Sequence, residues 1–273
     1  MFTRLLAFSL VALLLAACST HTPVKPVNLP RENYAYAQSY LIWLIEKEMA
    51  DNNITGLSIA LVDDQKLVWS SGFGYSDVEN NVPATPRTAY RMGSIAKLMT
   101  ATAAMQMAER GQMDIDQPLT RYLPEFSIRS RLHSTAPITP RNIMSHHSGL
   151  PANFLKCMLS KNPKYFTTLV KDVQEEYVSY PPNFVFAYSN LGVTLLGAAI
   201  ERTGNQNFND YLKQSLFDPL GMRDSYFSSQ PELNGYSNGK VAEILPLRDL
   251  PSGGLVSSVE DLSSFVKFVF AKG

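Results

Sequence analysis

The sequence contains a serine and a lysine at a spacing that can support nucleophilic catalysis. Ser94 and Lys97 stand three residues apart in the segment Ser-Ile-Ala-Lys. On an α-helix, residues i and i+3 share a face, so the Lys97 amine would lie beside the Ser94 hydroxyl and could help to deprotonate it. The same spacing recurs at two other places, Ser237/Lys240 and Ser264/Lys267. Spacing alone is therefore a weak signal.

A second candidate is the tripeptide Tyr188-Ser189-Asn190. A phenol near a lysine can ionise and carry a proton, and an asparagine amide can orient a substrate and the lysine. The same tripeptide recurs at residues 236–238, in a polar loop rich in Gly and Asn. The first copy stands instead between the apolar run 184–187 and an apolar helix. Context therefore favours the first copy.

Local patterns predict the elements that must position these residues. Residues 33–52 form an amphipathic pattern that is typical of a helix. Residues 57–62 and 67–72 are predicted to form the two strands of a hairpin. A helix is predicted from Ser94 to Arg110, with Gly111 as its C-cap. Because two strands alone are only marginally stable, the hairpin requires further strands.

The rest of the chain is predicted to be mainly helical between about residues 100 and 250. Four more helices are expected: 141–146 behind the Thr139-Pro140 cap, 191–203 ended by Gly204, 208–217, and 259–270 capped by Ser258.

Several segments of the chain occur together, and in this order, in one known family. The first is Tyr-Arg-Met-Gly-Ser-Ile-Ala-Lys at residues 90–97. The others are MDIDQP at 113–118, YLP at 122–124, ITP at 138–140, HHSGLP at 146–151, FAYSNLG at 186–192, PLGM at 219–222 and PSGGL at 251–255. Together they resemble the class C β-lactamase-like serine hydrolases, which include penicillin-binding DD-peptidases, esterases and D-aminopeptidases. The resemblance covers roughly residues 35 to 273.

This resemblance implies an α/β (α+β) fold of the β-lactamase/transpeptidase type, an antiparallel sheet flanked by helices with a helical insertion. It implies that Ser94 is the nucleophile, Lys97 its activating partner, Tyr188 the proton shuttle, and Asn190 a contact to substrate and lysine. The expected reaction is acylation of Ser94 by an amide or ester, then hydrolysis, with no cofactor. A β-lactam, a D-Ala peptide of peptidoglycan and a small ester are all candidate substrates.

Three other groups of residues could take part in chemistry but are expected to have structural roles. The resemblance implies a structural role for the 146–150 loop. Because the adjacent side chains of His146 and His147 cannot both face one metal ion, no metal site is expected there. The glycines of residues 252–254 are expected to form a purely structural turn near the site. Cys157, in an apolar setting, is expected to be a buried thiol.

The sequence departs from the family at its third motif. In the family this motif is Lys-Thr-Gly or His-x-Gly, on a sheet strand after the Gly-Gly turn. No Lys-Thr-Gly is present here. His147-Ser148-Gly149 fits His-x-Gly, but it stands before the tyrosine motif rather than after the Gly-Gly turn. Residues after Leu255 suffice for one helix, so the domain at 33–273 is expected to lack the C-terminal strands and the second oxyanion N–H. Loss of one such donor typically lowers a rate about 10²–10³-fold. We therefore expect weak activity, unless an unknown C-terminal fragment complements the chain.

The N-terminal segment is typical of export rather than of a folded domain. Arg4 precedes the apolar run 5–15, which is shorter than the roughly 20 residues that span a bilayer. The following Leu-Ala-Ala-Cys resembles the bacterial lipobox, so Cys18 is the expected lipidation site. Residues 1–17 would then be the signal peptide.

The same resemblance predicts a location. The prolines that follow Cys18 make residues 18–32 a stiff tether. Lipid chains on Cys18 would hold the protein on a membrane of the bacterial envelope, facing the periplasm, and Ser19 resembles the residue that directs lipoproteins to the outer membrane.

Composition excludes some partners. Lys+Arg and Asp+Glu are both 24, which argues against nucleic acid because phosphate binding requires a basic face. Two cysteines, Cys18 and Cys157, predict no disulfide in the mature protein.

Two rival interpretations remain open. Residues 235–239 match Gly-x-Ser-x-Gly, but a nucleophile elbow requires a strand before it, a helix after it and a later histidine. The more serious rival is a catalytically impaired, lipid-anchored envelope protein that retains the scaffold and binds peptidoglycan peptides.

Overall fold

The computed structural model describes residues 21–132, 136–230 and 234–273, so the predicted signal peptide and Cys18 lie outside the described residues. The chain divides into two compact units after Asn52. In the first unit, helix α1 (Ala35–Asn52) confirms the predicted N-terminal helix. It begins where the Asn33 side chain accepts the Ala35 amide at 3.1 Å. None of the helices in the described ranges has the length and apolar character needed to cross a membrane.

The second unit begins with the predicted hairpin. Strands β1 (Gly56–Asp63) and β2 (Lys66–Asp77) pair antiparallel, and β3 (Val82–Pro83) extends this sheet on the β2 side. The predicted C-terminal helix is present as α9 (Val259–Phe270), which packs against β1 and β2. The Ser258 hydroxyl caps α9 as expected, by accepting the Asp261 amide at 3.2 Å.

A second three-stranded sheet leads into the candidate site. Its order is β4 (Tyr90–Gly93), β8 (Leu255–Ser257) and β5 (Tyr226–Phe227), all antiparallel. β8 is buried along its whole length between its two neighbours. Among the described residues, the strand that joins the sheet of the predicted hairpin is β3, whereas β4, β8 and β5 form a separate sheet.

The central helix α2 (Ala96–Glu109) starts later than predicted. Gly93 has a left-handed φ of +54°, which turns the chain sharply between β4 and α2. Ser94 and Ile95 therefore lie in a turn, and the helix begins at Ala96 rather than at Ser94. The i to i+3 relationship survives, because the Lys97 amide donates to the Ser94 carbonyl at 3.2 Å.

The predicted helices at 141–146 and 191–203 are present with changed ends. Helix α3 (Pro140–Met144) is capped by Thr139 as expected and ends two residues earlier than predicted, and α5 (Asn190–Gly204) is the buried helix of the core. The short helix α4 (Leu169–Asp172) was not predicted individually. Gly204 is the last helical residue of α5 rather than its cap, since Asn205 takes the left-handed position with φ +47°.

The predicted helix 208–217 is interrupted. It consists of α6 (Phe208–Leu212), a π-helical turn at Lys213–Phe217 and α7 (Asp218–Leu220). Pro219 lacks the amide that would bond the Ser215 carbonyl in a regular helix, and this carbonyl instead accepts the Gln106 side chain at 3.1 Å.

Two local predictions were wrong. The polar segment at the second Tyr-Ser-Asn is a hairpin of β6 (Gly235–Ser237) and β7 (Lys240–Ala242), whose turn residues Asn238 and Gly239 both have positive φ. The Gly-x-Ser-x-Gly segment therefore leads into a hairpin turn and is not followed by a helix. Cys157 is exposed rather than buried, and it occupies a turn position with a left-handed φ of +55°.

A short helix, α8 (Leu250–Gly253), connects the helical region to β8. Its approach to α5 depends on Gly197, since a Cβ there would lie 2.2 Å from Pro251 Cγ. α8 begins at a buried ion pair in which Arg248 Nε donates to Asp249 at 2.6 Å. The Arg248 and Asp249 side chains are only 2% and 1% exposed.

The Arg248 guanidinium also closes the neighbouring loop. Its other nitrogens donate to the carbonyls of Phe154 at 2.7 Å and Lys156 at 2.6 Å. The Asp249 carbonyl in turn accepts the Ser252 amide at 3.1 Å and the Ser252 hydroxyl at 3.0 Å. The ion pair therefore fixes the backbone of α8 relative to the 154–156 segment.

We predict that Arg248→Met lowers the free energy of unfolding by about 3–5 kcal/mol, because it leaves the buried Asp249 carboxylate without its counter-charge. Arg141→Met is the matched control. Arg141 pairs with Asp116 at the same 2.6 Å, but both side chains are 60% exposed, so its loss should have a much smaller effect. Urea denaturation of the three proteins measures the difference, and equal losses for both variants would contradict the prediction.

Candidate active site

Ser94 lies at the exposed turn between β4 and α2, and the predicted lysine and tyrosine both reach its hydroxyl. Lys97 Nζ is 3.1 Å from Ser94 Oγ, and the Tyr188 hydroxyl donates to the same oxygen at 2.9 Å. Tyr188 is remote in sequence from the other two residues. The fold thus brings together the three residues that the sequence proposed as nucleophile, activating partner and proton shuttle.

Lys97 is held in place from the interior of the molecule. Its side chain leaves the first turn of α2 and is only 9% exposed. Nζ donates to the Ser252 carbonyl of α8 at 2.6 Å and lies 4.9 Å from the centre of the Tyr188 ring. Nζ also donates to Ser94 Oγ, as given above. An amine with these neighbours can act on the serine and the phenol together.

The Ser252 carbonyl is a site group that the sequence analysis missed. Residues 252–254 were expected to form a purely structural turn, whereas Ser252 and Gly253 belong to the short helix α8, and the Ser252 carbonyl binds Lys97 directly. The PSGGL motif marked this segment in the sequence. A main-chain carbonyl, however, has no residue type from which its role could be read.

Tyr188 lies in an extended segment immediately before α5. The amide of Ala187 donates to the His146 carbonyl at 2.7 Å. On the other side of Tyr188, the Ser189 hydroxyl caps α5 by accepting the Gly192 amide at 2.8 Å and donates to the Pro151 carbonyl at 2.7 Å. The phenol therefore projects from a backbone that is hydrogen-bonded on both sides.

The environment of Tyr188 favours ionisation of its phenol. Partial burial acts to raise the pKa of Tyr188, but Lys97 and the hydrogen bond with Ser94 outweigh it, so that this pKa lies below its ordinary value. Tyr188 is also 41% exposed, which leaves it accessible to a substrate. It can therefore exchange a proton with both Ser94 and a bound molecule.

Asn190 is placed differently from the prediction. Its side-chain amide donates to Asn153 Oδ1 at 2.7 Å and makes no hydrogen bond to Lys97 in the described part of the chain. Asn190 is the first residue of α5, and its side chain turns toward the 151–153 segment, so its contact to the lysine stays a prediction. Its predicted contact to a substrate stays a prediction.

His146 belongs to this neighbourhood, although the sequence analysis assigned its loop a structural role. Its ring lies 4.5 Å from the Tyr188 ring, centre to centre. Its Nδ1 accepts the Ser189 amide at 3.3 Å. The loop is indeed held by main-chain bonds, but the His146 side chain touches a candidate catalytic residue.

The repeated motifs lie in other settings. Ser237 and Lys240 are paired across the β6–β7 hairpin rather than along a helix. Tyr236 accepts the Val78 amide at 3.0 Å. Ser264 and Lys267 lie on α9. Only the first copies of each motif are joined by the contacts among serine, lysine and tyrosine described above.

Comparisons with known proteins identify the family and the fold. The family model described as Beta-lactamase matches residues 42–273. Protein flp of Staphylococcus aureus (strain COL) is 26% identical over 244 residues, which cover 85% of this chain and 49% of that protein. The chain thus spans about half the length of the curated relatives it matches.

Solved structures share the fold. The octameric penicillin-binding protein homologue from Pyrococcus abyssi is 28% identical, with a TM-score of 0.70 over 85% of this chain and 56% of that one. A beta-lactamase/D-alanine carboxypeptidase from Pseudomonas syringae is 25% identical, with a TM-score of 0.67 over 81% of this chain and 62% of that one. The expected fold class is confirmed. With a family model that matches most of its length, this chain belongs to the beta-lactamase family of serine hydrolases.

Proposed function

We propose that this protein is a serine acyl hydrolase that forms an acyl-enzyme on Ser94. The observation that carries the proposal is the joint contact of Ser94 Oγ with Lys97 Nζ at 3.1 Å and the Tyr188 hydroxyl at 2.9 Å. A hydroxyl between an amine and a phenol of lowered pKa has the neighbours that an activated nucleophile requires.

The proposed acylation step follows from these contacts. Tyr188, ionised beside Lys97, takes the Ser94 proton while Ser94 Oγ bonds to the carbonyl carbon of an amide or ester. The bond from that carbon to the leaving group then breaks, and the proton passes from Tyr188 to the leaving group. In deacylation, water loses a proton to Tyr188, attacks the acyl carbon and releases an acid, and the proton returns to Ser94 Oγ.

The substrate class is an acyl compound of low molecular weight or a short peptide. Ser94 is exposed and Tyr188 is partly exposed, so the reacting groups face solvent rather than a closed cavity. The similarity to a beta-lactamase/D-alanine carboxypeptidase and to a penicillin-binding protein homologue supports a β-lactam or a D-Ala peptide of peptidoglycan, with small esters as simpler substrates.

Ser94→Ala is the first test. A fluorophosphonate probe should add one equivalent to the wild-type protein and none to Ser94→Ala, as read by intact mass, because the acceptor oxygen is absent. Hydrolysis of p-nitrophenyl butyrate should fall by roughly 10³-fold or more. Ser237→Ala, which removes the serine of a repeated Ser-x-x-Lys spacing, should behave as wild type.

Equal labelling and equal nitrophenol release from wild type and Ser94→Ala would refute the hydrolase proposal. The favoured interpretation would then be the impaired envelope protein that retains the scaffold and binds peptidoglycan peptides. Labelled penicillin distinguishes the two, since the impaired protein would form no covalent adduct.

Tyr188→Phe tests the proton shuttle. We expect kcat/KM to fall roughly 10²–10⁴-fold, because Ser94 loses its base while the ring is kept. In the wild type, kcat/KM should rise with pH through a pKa below the ordinary tyrosine value, since the phenolate is the active form and the folded environment lowers this pKa. Tyr236→Phe is the control, and a matching loss in that variant would contradict the assignment.

We further propose that Cys18 is lipidated and anchors the protein on the periplasmic side of the bacterial envelope, with the outer membrane favoured by Ser19. Support comes from the lipobox-like Leu-Ala-Ala-Cys and the preceding apolar run. Cys18→Ala should move the protein from the membrane fraction to the soluble fraction of expressing bacteria, since each buried lipid CH₂ contributes about 0.8 kcal/mol. Cys157→Ala is the matched control. Membrane association that survives Cys18→Ala, with no lipid mass on the N-terminal peptide, would refute the anchor.

A further inference from the structure

We propose that His146 is a positioning residue for Tyr188 and that it performs this role only as the neutral imidazole. Protonation of His146 would then inactivate the site reversibly. This inference rests on the proposed function, because it concerns the residue assigned there as proton shuttle.

His146 holds the Tyr188 backbone on both sides. Its carbonyl accepts the Ala187 amide at 2.7 Å, and its ring Nδ1 accepts the Ser189 amide at 3.3 Å. The residues immediately before and after Tyr188 are therefore both bonded to one histidine. A shift of this histidine would move the phenol relative to Ser94.

The His146 ring also supports the Tyr188 ring directly. The two ring centres are 4.5 Å apart at an interplanar angle of 38°, and Phe186 meets the same imidazole edge-on at 5.7 Å. Aromatic contacts of this kind contribute beyond simple burial and have a preferred geometry. The contact thus restricts the orientation of the phenol that donates to Ser94.

The bond to Ser189 requires one protonation state. An Nδ1 that accepts a hydrogen bond has no proton, so the neutral ring carries its proton on Nε2. An imidazolium has donors at both nitrogens and cannot accept the Ser189 amide. Protonation would therefore break one of the two bonds that flank Tyr188.

The groups around His146 favour the neutral ring. Lys97 faces it from α2, Tyr188 faces it from the segment before α5, and His147 is its neighbour in the loop. Burial, followed by Lys97 and then His147, lowers the pKa of His146 from its ordinary value. The working state near neutral pH is consequently the neutral imidazole, and protonation would add a second cation beside Lys97.

The backbone conformation of His146 suggests asparagine as a conservative replacement. His146 has a left-handed φ of +59°, a conformation that asparagine adopts more readily than most residues. In His146→Asn, the side-chain oxygen can take the place of Nδ1 as acceptor for Ser189. The variant therefore keeps the hydrogen bond and the backbone but removes the titration and the ring.

The first experiment measures kcat/KM for p-nitrophenyl butyrate from pH 7.5 to pH 5.0. In the wild type, log kcat/KM should steepen from a slope of about 1 to about 2 below the His146 pKa, because Tyr188 and His146 must both lose a proton. His146→Asn should keep a slope of about 1, so that below the His146 pKa the ratio of variant to wild-type kcat/KM rises about tenfold for each unit by which the pH falls. His147→Asn should keep the steepening, because His146 still titrates in that variant.

A steepening that persists in His146→Asn, or that disappears in His147→Asn, would overturn the proposal. A purely structural role for His146 would lower kcat/KM in His146→Asn by the same factor at every pH. That outcome would also overturn it.

The second experiment is independent of turnover. Imidazole ¹⁵N NMR of the wild-type protein at pH 7.5 should show His146 with an unprotonated Nδ1, and the Tyr188 ring resonance should shift with the same midpoint as His146. A protonated Nδ1 of His146 at pH 7.5 would refute the proposal. A Tyr188 ring resonance that does not shift as His146 titrates would also refute it. If the protein hydrolyses nothing, the proposed function fails, whereas these spectra still decide the role of His146.

Discussion

The hydrogen bond from the buried Lys97 ammonium to the Ser252 carbonyl is the contact on which the site depends. A cation with so little access to water requires a fixed acceptor, and this carbonyl supplies it at 2.6 Å. The carbonyl is in turn placed by α8, which begins at the buried Arg248–Asp249 pair. The position of Lys97 beside Ser94 is therefore determined by a segment more than half the chain away in sequence.

Two glycines allow the backbone conformations on which the contact between Lys97 and the Ser252 carbonyl depends. Gly93 turns the chain between β4 and α2, so that Ser94 stands at an exposed corner while Lys97 enters the interior one turn later. Gly197 lets Pro251 of α8 approach α5, whose cap at Ser189 follows Tyr188. The nucleophile, the amine and the phenol thus come from three elements that pack around one buried carbonyl.

Much of this arrangement could be predicted from the sequence. The hairpin, the helix caps at Thr139 and Ser258, and the contacts among Ser94, Lys97 and Tyr188 all agree with the structure, because each follows from short-range periodicity or from an ordered set of motifs. Other contacts could not be predicted because they join residues that are distant in sequence. The Ser215 carbonyl in the interrupted helix accepts the Gln106 side chain, and Asn190 donates to Asn153.

The sequence by itself determined which residue types are present for acyl transfer and, through motif order, the family to which they belong. Sequence context and motif order also favoured Tyr188-Ser189-Asn190 over its copy at residues 236–238. Tertiary structure decided that the first copy reaches Ser94, that a main-chain carbonyl holds Lys97, and that His146 touches Tyr188. The physical reason is that hydrogen bonds and burial depend on distances between segments, and local residue patterns do not encode those distances.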